Sequence, residues 1–338
     1  MAKKKKKNKV SVILVILLFG VALILLWNNL NGENPIVKLE PKKHLNIINL
    51  DSNERPIAIM INNHSIARQN HAGLNDAYIV YEAIVEGGLT RLMAIFKDKD
   101  TARIGSVRSS RHYFLDYALE NDAIYVHYGW SPQAESDINI LRVDNINGLT
   151  DDAFYRDKSL NVAYEHTAFT SMADIKKIAK TKNYRLTSSN YMLLNYSEKE
   201  VDLSSLENSI VANNVIIPYS SYVTTSYVYD SINKVYLRYV NNKEHKDSIT
   251  NNIYTTKNII IMKINNRKID SYGRQTLDNI GSGEGYYITN GYSIPITWSK
   301  SSRTSKTIYT KTTGEEIDVN DGNTYIQIMP LDKTLQIN

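Results

Sequence analysis

Two glutamates and one arginine lie close enough in the sequence to form a charged cluster. They occur in residues 79–96, IVYEAIVEGGLTRLMAIF, where two strand-like arms flank a Gly-Gly pair. A two-residue turn at the glycines would place Arg91 opposite Ile84. Because side chains alternate between the faces of a hairpin, this register predicts Glu82, Glu86 and Arg91 on one face. The predicted cluster is a pair of carboxylates around a guanidinium group.

The cluster has one purely structural interpretation and two functional ones. It could be a surface ion-pair cluster, which contributes about 0–1 kcal/mol per pair, a binding site, or the acid and base of an envelope-polymer hydrolase. In a strand the Cα atoms of Glu82 and Glu86 are about 13 Å apart. Arg91 between them would keep both carboxyl groups ionised, which disfavours hydrolysis. A helical conformation would also put the two glutamates on one side, closer together.

Two further arginines stand where a helix is predicted to begin. Residues 112–120, HYFLDYALE, have helical apolar spacing, and Arg108 and Arg111 precede them. Positive side chains at a helix start oppose the helix dipole, at about 0.3–1 kcal/mol each. Free backbone N–H groups and guanidinium groups there attract an anion. That anion is either an internal carboxylate, Glu82 or Glu86, or a bound ligand, which is the functional hypothesis.

Polar side chains at strand ends extend this candidate site. Asn62, Asn63 and His64 follow the first predicted strand, and His127 ends the strand AIYVHY. Ligands of α/β domains often lie at the carboxyl ends of strands. No HExxH or comparable spacing is present, so we predict neither a metal nor a cofactor. The candidate ligand-binding residues are Asn62, Asn63, His64, Glu82, Glu86, Arg91, Arg108, Arg111 and His127.

The elements that would position these residues belong to a predicted α/β domain over residues 55–186. Residues 57–61 are apolar on both faces, which is typical of a strand covered on both sides. Ser171 followed by Asp174 resembles a capping box, so a helix is predicted to begin near Met172.

A second domain is predicted over residues 215–335, after a Ser- and Asn-rich linker at residues 187–214. Its sequence contains β-prone arms around a polar turn and further strand-like runs, so we expect mainly antiparallel β structure. The segment GSGEGYY lacks the GK[ST] ending of a phosphate loop and is predicted to form turns. Lys300 and Arg303 are interpreted as strand-end charges.

The first 30 residues predict a cytoplasmic basic tail followed by a signal-anchor helix. Six lysines within residues 3–9 precede residues 10–27, which carry no charge. At about 1.5 Å per residue this segment nearly crosses a hydrocarbon layer of about 30 Å. The lysines predict a cytoplasmic amino terminus and extracellular domains, hence a single-pass protein of the cell membrane. The polar residues 31–54 are predicted to form a tether.

Charge and cysteine content exclude several classes of function. The formal net charge of +5 includes the six lysines before the anchor, so the remaining chain carries −1. That balance argues against a nucleic acid as partner. The absence of cysteine excludes disulfides, thiolate metal sites and a cysteine nucleophile.

Several motifs in combination resemble one known family. These are RPIAIMINN, residues 76–96, IGSVRSSRHYFLDYA, NGYSIPITWSK and NDGNTYIQIMP, which together span residues 55–330. The combination resembles the YerB-like family of bacterial exported proteins, which is of unknown function and implies no catalytic residue. Members are commonly described as lipoproteins, whereas this chain has no cysteine to acylate. Ser106 stands where many relatives carry proline, and both arginines of the motif are retained.

The sequence therefore predicts a membrane-anchored protein of the cell envelope that binds an anionic ligand. The expected partner is a cell-wall fragment or another envelope protein, and the β-rich domain would position or dock it. The alternative is an envelope-polymer hydrolase that uses Glu82 and Glu86.

Overall fold

Strands dominate the chain in the computed structural model, which describes Gly20 and residues 44–188 and 192–338. The strands of the N-terminal domain are β1 (Ile57–Asn62), β2 (Ile79–Ile84), β3 (Thr90–Phe96), β4 (Ile104–Gly105), β5 (Ile124–His127), β6 (Asn145–Asn147), β7 (Phe154–Arg156) and β8 (Ala168–Thr170). The later strands are β9 (Tyr196–Ser197), β10 (Ile210–Val211), β11 (Asn214–Pro218), β12 (Thr224–Asp230), β13 (Val235–Val240), β14 (Lys243–Glu244), β15 (Thr255–Thr256), β16 (Asn258–Ile264), β17 (Asn266–Lys268), β18 (Gln275–Leu277), β19 (Gly281–Thr289), β20 (Tyr292–Lys300), β21 (Ile308–Lys311), β22 (Val319–Asn320), β23 (Thr324–Pro330) and β24 (Gln336–Ile337).

The largest sheet, called the central sheet, has eleven strands. Their order is β10-β20-β19-β16-β23-β2-β3-β1-β5-β6, and β21 pairs with β20. Strand β23, near the end of the chain, lies between β2 and β16 and runs parallel to both. Strands from the N-terminal and C-terminal domains are therefore hydrogen-bonded within one sheet.

Different layers cover the two faces of the central sheet. On one face lies a six-stranded sheet of order β14-β13-β12-β11-β24, with β15 beside β13, and Tyr227 of β12 meets Tyr325 of β23. On the other face Tyr81 of β2 stacks on Tyr117 of a helix, with ring centroids 4.8 Å apart. Coverage on both faces explains why β1 and β2 are buried along their whole length. The prediction of a doubly covered first strand is confirmed.

Helices are few, and each covers a short part of the sheets. Within residues 44–188 and 192–338 the α-helices are α1 (Ser65–Arg68), α2 (His112–Glu120), α3 (Pro132–Ile140) and α4 (Met172–Thr181), and short 3-10 helices are formed by Leu74–Asp76, Glu86–Gly88 and Tyr164–His166. The predicted start of α4 is confirmed, because the Ser171 hydroxyl accepts a hydrogen bond from the Asp174 backbone N–H at 3.1 Å. The fold is thus mostly β, and the contrast predicted between an α/β domain and a β domain is weaker than expected.

Three segments predicted to connect or anchor the domains have different outcomes. Residues 192–214, part of the predicted linker, contain β9 and β10, which pair with β22 and β20. Residues 44–54, the described part of the predicted tether, pack on the fold, because Leu45 and Ile48 are buried. Except for Gly20, the predicted anchor at residues 10–27 lies outside the described residues. Among the described residues, no helix is both long and apolar enough to cross a membrane.

Candidate functional site

The loop between β2 and β3 sets the direction of every side chain in the predicted cluster. Strand pairing places Arg91 opposite Ala83, whereas the predicted register had Arg91 opposite Ile84. The connection is five residues long, from Val85 to Leu89, and is not the two-residue turn that was predicted. Because side chains alternate with a period of two, this slip of one residue puts Glu82 and Arg91 on opposite faces. The predicted common face is therefore wrong.

Glu82 lies inside the protein, between the central and six-stranded sheets. Its Oε2 is 2.9 Å from Nη2 of Arg238, and both side chains are fully buried. Its Oε1 accepts hydrogen bonds from the Asn63 amide and from the hydroxyl groups of Thr90 and Thr225. No oxygen of this carboxylate is free for a substrate. The carboxylate pair required by the hydrolase hypothesis is not assembled.

Glu86 lies in a different environment, in the loop that connects β2 and β3. Arg111 binds it in a bidentate manner, with N–O distances of 2.5 and 2.8 Å, and Arg91 approaches to 3.9 Å. Burial opposes ionisation of Glu86, but the hydrogen bonds and charge of Arg111 and the charge of Arg91 lower its pKa. Burial and the charge of Arg111 lower the pKa of Arg91 to about 9. One carboxylate thus serves two guanidinium groups.

Arg108 adds a third positive charge without a carboxylate of its own. Its Nη1 donates to the backbone carbonyl of Glu165 at 3.4 Å. Across the described part of the chain, no carboxylate oxygen lies within 4 Å of its guanidinium nitrogens. Helix α2 begins at His112, and Arg111 is its N-cap residue. Arg108 lies three residues before this cap and therefore outside the first turn, so the predicted dipole penalty does not apply to it. Burial lowers the pKa of Arg108 and the charge of Glu165 opposes this effect.

Two histidines stack beside these arginines and present donor groups. The rings of His64 and His166 are 4.9 Å apart and nearly parallel. Nδ1 of His64 accepts from the Ile66 N–H, which places the proton of the neutral ring on Nε2. The Asn62 side chain accepts from the His64 N–H, so its amide donates to Nδ1 of His166. Burial and the nearby His64 lower the pKa of His166, so its neutral ring also carries its proton on Nε2.

The C-terminal domain completes this group of residues with the turn between β17 and β18. Arg274 lies there, paired with Asp270 at 2.7 Å and placed over the Tyr272 ring at 4.9 Å. The open space between these residues, called the arginine cleft, has a volume of about 430 Å³. Its lining residues are Asn62, His64, Val85, Glu86, Leu89, Thr90, Arg91, Arg108, Arg111, Glu165, His166, Tyr272 and Arg274.

Six of the nine candidate residues therefore meet at one cleft, and three lie elsewhere. Asn63 is buried against Glu82. His127 is also buried, with Nδ1 2.9 Å from the Gly129 carbonyl and Nε2 3.1 Å from Oδ1 of Asn145. Sequence reasoning did not single out Glu165, His166, Tyr272 or Arg274 for this site. The last two are more than 160 positions from Arg108, so no local pattern could place them there.

Two cations interpreted as strand-end charges join the domains instead. Lys300 and Glu120 form an ion pair of 2.7 Å, with both side chains fully buried. Arg303 bridges Asp116 of α2 and Asp137 of α3, at 2.6 and 2.7 Å. The interpretation as simple strand-end charges is wrong for both residues.

The arginine cleft offers many hydrogen-bond donors, and its carboxylates are those of Glu86 and of the exposed Glu165. Its four guanidinium groups only donate, and the Nε2–H groups of His64 and His166 have no hydrogen-bond partner within residues 44–188 and 192–338. The Glu86 carboxylate is already engaged by Arg111. The described residues hold no cluster of three or more His, Cys, Asp or Glu side chains suited to a metal ion. This arrangement suits an anion.

Comparison with known proteins supports the family resemblance. Residues 46–185 match the N-terminal domain of a protein family of unknown function, DUF3048, and residues 215–326 match its C-terminal domain. YerB of Bacillus subtilis (strain 168), a candidate lipoprotein by name, is 31% identical over 279 residues, which cover 82% of this chain and 81% of YerB.

The solved structures include the same relative. The crystal structure of YerB from Bacillus subtilis superposes with a TM-score of 0.74 at 31% identity, covering 84% of this chain and 94% of the other. The sequence match and the shared fold both extend over the two domains. The chain therefore belongs to the DUF3048 family, which includes YerB.

Proposed function

We propose that this protein is anchored in the cell membrane and uses the arginine cleft to bind an anionic ligand of the cell envelope. The ligand would be a cell-wall fragment or an acidic group on an envelope protein. The name of YerB, a candidate lipoprotein, supports an envelope location. This chain has no cysteine to acylate, and its uncharged segment at residues 10–27 would serve as the anchor instead.

The observation that carries the binding proposal is the position of Arg108. A buried or half-buried guanidinium group is normally paired with a carboxylate, because removing its charge from water is unfavourable. Arg91 and Arg111 share Glu86, whereas Arg108 has only a long hydrogen bond to a backbone carbonyl. A carboxylate or phosphate in the cleft would supply the missing partner.

The surrounding donors select the same class of ligand. An ionised carboxylate or phosphate presents acceptor atoms only, which matches guanidinium groups and two imidazole Nε2–H groups. Arg91 is buried and Arg108 is half-buried, so hydrogen bonds to them are less screened than on an open surface. A neutral sugar or an apolar peptide could accept hydrogen bonds from these donors, but it would leave their positive charge unbalanced.

Calorimetric titration of the extracytoplasmic chain with inorganic phosphate tests the proposal. Arg108→Gln should weaken binding by about ten- to a hundredfold, since charge-assisted hydrogen bonds contribute about 1.5–3 kcal/mol. Lys180→Gln, on an exposed position of α4, removes the same charge far from the cleft and is the matched control. Equal binding by the wild type and Arg108→Gln, or no binding of inorganic phosphate, of free glutamate or of their polymers by the wild type, would refute the proposal.

The proposed location has a separate test. Protease added outside intact cells should digest the domains after residue 28, because they are expected on the outer side of the membrane. Full protection of these domains in intact cells, with digestion after lysis, would contradict an extracellular location.

A further inference from the structure

A second basic cavity adjoins the arginine cleft across the β2–β3 loop. This cavity, called the lysine groove, has a volume of about 730 Å³. Its cations are Arg267 and Lys268 on β17 and Lys333 near the carboxyl terminus. Asp332 is its acidic lining residue, so the lining has a net positive charge.

The two cavities share their dividing wall. Glu86 lines the arginine cleft, while the next two residues, Gly87 and Gly88, line the lysine groove. The Tyr272 side chain lines both, and it is 77% exposed at the tip of the β17–β18 turn. A ligand that leaves the arginine cleft past Tyr272 therefore enters the lysine groove directly.

Positive charge is concentrated here although the extracytoplasmic chain is slightly acidic. The chain after the six amino-terminal lysines carries a net charge of −1. Lys268 is exposed and forms no ion pair within residues 44–188 and 192–338. Arg267 and Lys333 have partners on exposed positions, Asp278 and Asp332, which solvent and salt screen strongly. All three cations are thus available to a further anionic group.

We propose that the ligand is a linear polyanion that occupies both cavities. One of its anionic groups binds in the arginine cleft, and the following groups pass Tyr272 and contact the cations of the lysine groove. The inference rests on the proposed function, because the arginine cleft supplies the first contact. The shared chemistry is a flexible chain of repeated carboxylate or phosphate groups.

Linking several weak contacts in one chain raises affinity without any new type of contact. After the first group is bound, the next group meets the lysine groove at the high effective concentration set by a short linker. A polymer should therefore bind more tightly than its monomer at equal concentration of anionic groups. Its affinity should also fall more steeply with salt, since more charges are neutralised on binding.

Chain length is the variable that tests this inference. Binding of inorganic phosphate is compared with that of polyphosphate of increasing length, and binding of free glutamate with that of polyglutamate. The wild-type protein should bind the long chains of one or both series at least tenfold more tightly per anionic group. The series that shows this gain identifies the anionic group as phosphate or carboxylate.

Variants separate the contributions of the two cavities. The double variant Lys268→Gln, Lys333→Gln should bind long chains about fivefold more weakly and inorganic phosphate unchanged, because screened contacts contribute about 0.5 kcal/mol each. The matched control changes Lys177 and Lys180 to Gln, both exposed on α4. Arg108→Gln should weaken binding of short and long ligands alike.

The outcomes distinguish this inference from the proposed function. If inorganic phosphate binds through Arg108 and neither series gains affinity with length, the polyanion inference is refuted and the proposed function stands. If the gain persists in the lysine variant, the chain does not follow the groove and the inference is also refuted. If neither phosphate nor glutamate binds, in any form, both proposals fail.

Discussion

Glu82 and Glu86 lie four residues apart in the sequence, and each pairs with arginine, but the two ion pairs have different surroundings. The Glu82–Arg238 pair is fully buried, and hydrogen bonds satisfy both oxygens of its carboxylate. The Glu86–Arg111 pair lines an open cleft with Arg91 and Arg108 close by. The first site is closed and balanced, whereas the second is accessible and has excess positive charge. Accessibility and charge balance, more than residue type, separate structural from binding roles.

The buried pair also has long-range partners that the open pair lacks. Nε of Arg238 donates to His245 at 3.0 Å, and His245 is 2.8 Å from His71. Nε2 of His71 is 2.6 Å from the backbone carbonyl of Asn62, at the floor of the arginine cleft. This network joins the two sheets and ends beneath the candidate site. It provides a physical link between packing of the domains and geometry of the cleft.

The largest expected effect comes from breaking the buried pair. Glu82→Gln should reduce the free energy of unfolding by about 3–5 kcal/mol, because it leaves Arg238 buried without a counter-charge. Urea unfolding followed by circular dichroism measures this change. Glu86→Gln is the comparison and should lose far less stability, since Arg91 and Arg111 line an open cleft and Arg91 also donates to the Ser109 carbonyl. Similar losses in the two variants would remove the distinction between the sites.

Mild acid should weaken the network that extends from the buried pair. Burial lowers the pKa of His71 to about 3 and that of His245 well below its usual value, against about 6.5 in the unfolded chain. At pH values between the folded and unfolded pKa values, the unfolded state binds more protons than the folded state. The free energy of unfolding therefore falls as pH decreases below about 6.5. The expected slope is about 1.4 kcal/mol per histidine per pH unit. The charged groups near His71 are Arg68, Arg238 and Asp247.

Urea unfolding at several pH values between 6.5 and 5 measures this slope before most carboxyl groups titrate. The double variant His71→Gln, His245→Gln removes both titrating groups and should flatten the slope, although it is less stable at pH 7. A slope unchanged in the double variant would show that other groups control the acid response.

Within the arginine cleft, two neighbouring arginines should differ in their effect on stability. Arg111→Gln should cost about 1–2 kcal/mol, because it removes the bidentate partner of a half-buried carboxylate. Arg108→Gln should change stability by less than about 0.5 kcal/mol, since its hydrogen bond is a long one to a backbone carbonyl and the nearby Glu165 carboxylate is exposed. Thermal unfolding of both variants without ligand tests the difference. A large loss in Arg108→Gln would make this residue structural.

The smallest effect is expected at an exposed pair outside the network. Asp278→Asn breaks the ion pair with Arg267. The Asp278 side chain is 46% exposed and the Arg267 side chain is 59% exposed. Stability should change by about 0–0.5 kcal/mol and respond to salt, as for other surface pairs. Urea unfolding at low and high salt measures this. A loss comparable to that of Glu82→Gln would mean that burial does not determine how much each ion pair contributes to the stability of this protein.

Much of the candidate site could be predicted because its residues lie at the ends of recognisable elements. Asn62 ends β1 and His64 follows it, Glu86 lies in the β2–β3 loop, and Arg111 precedes α2. The β-prone arms around a polar turn that were predicted in the second domain are residues 222–240, which form the β12–β13 hairpin with continuous pairing from Thr225–Val240 to Asp230–Val235. Apolar periodicity, capping residues and turn residues act over fewer than about ten positions, so the sequence displays them directly.

The sequence by itself determined most of the long strands, the starts of α2 and α4 and the concentration of arginines in the N-terminal domain. The prediction of turns for GSGEGYY is wrong, because these residues belong to β19 (Gly281–Thr289) and pair with β16 and β20. Only the tertiary structure decided which charges are buried and which are accessible. Loop length has no strong local signal here, and one residue more or less reverses every side chain of a strand. The partners of Glu82 and Glu120 are 156 and 180 positions away. Burial and charge pairing depend on such distant contacts, so they arise when the sheets pack together.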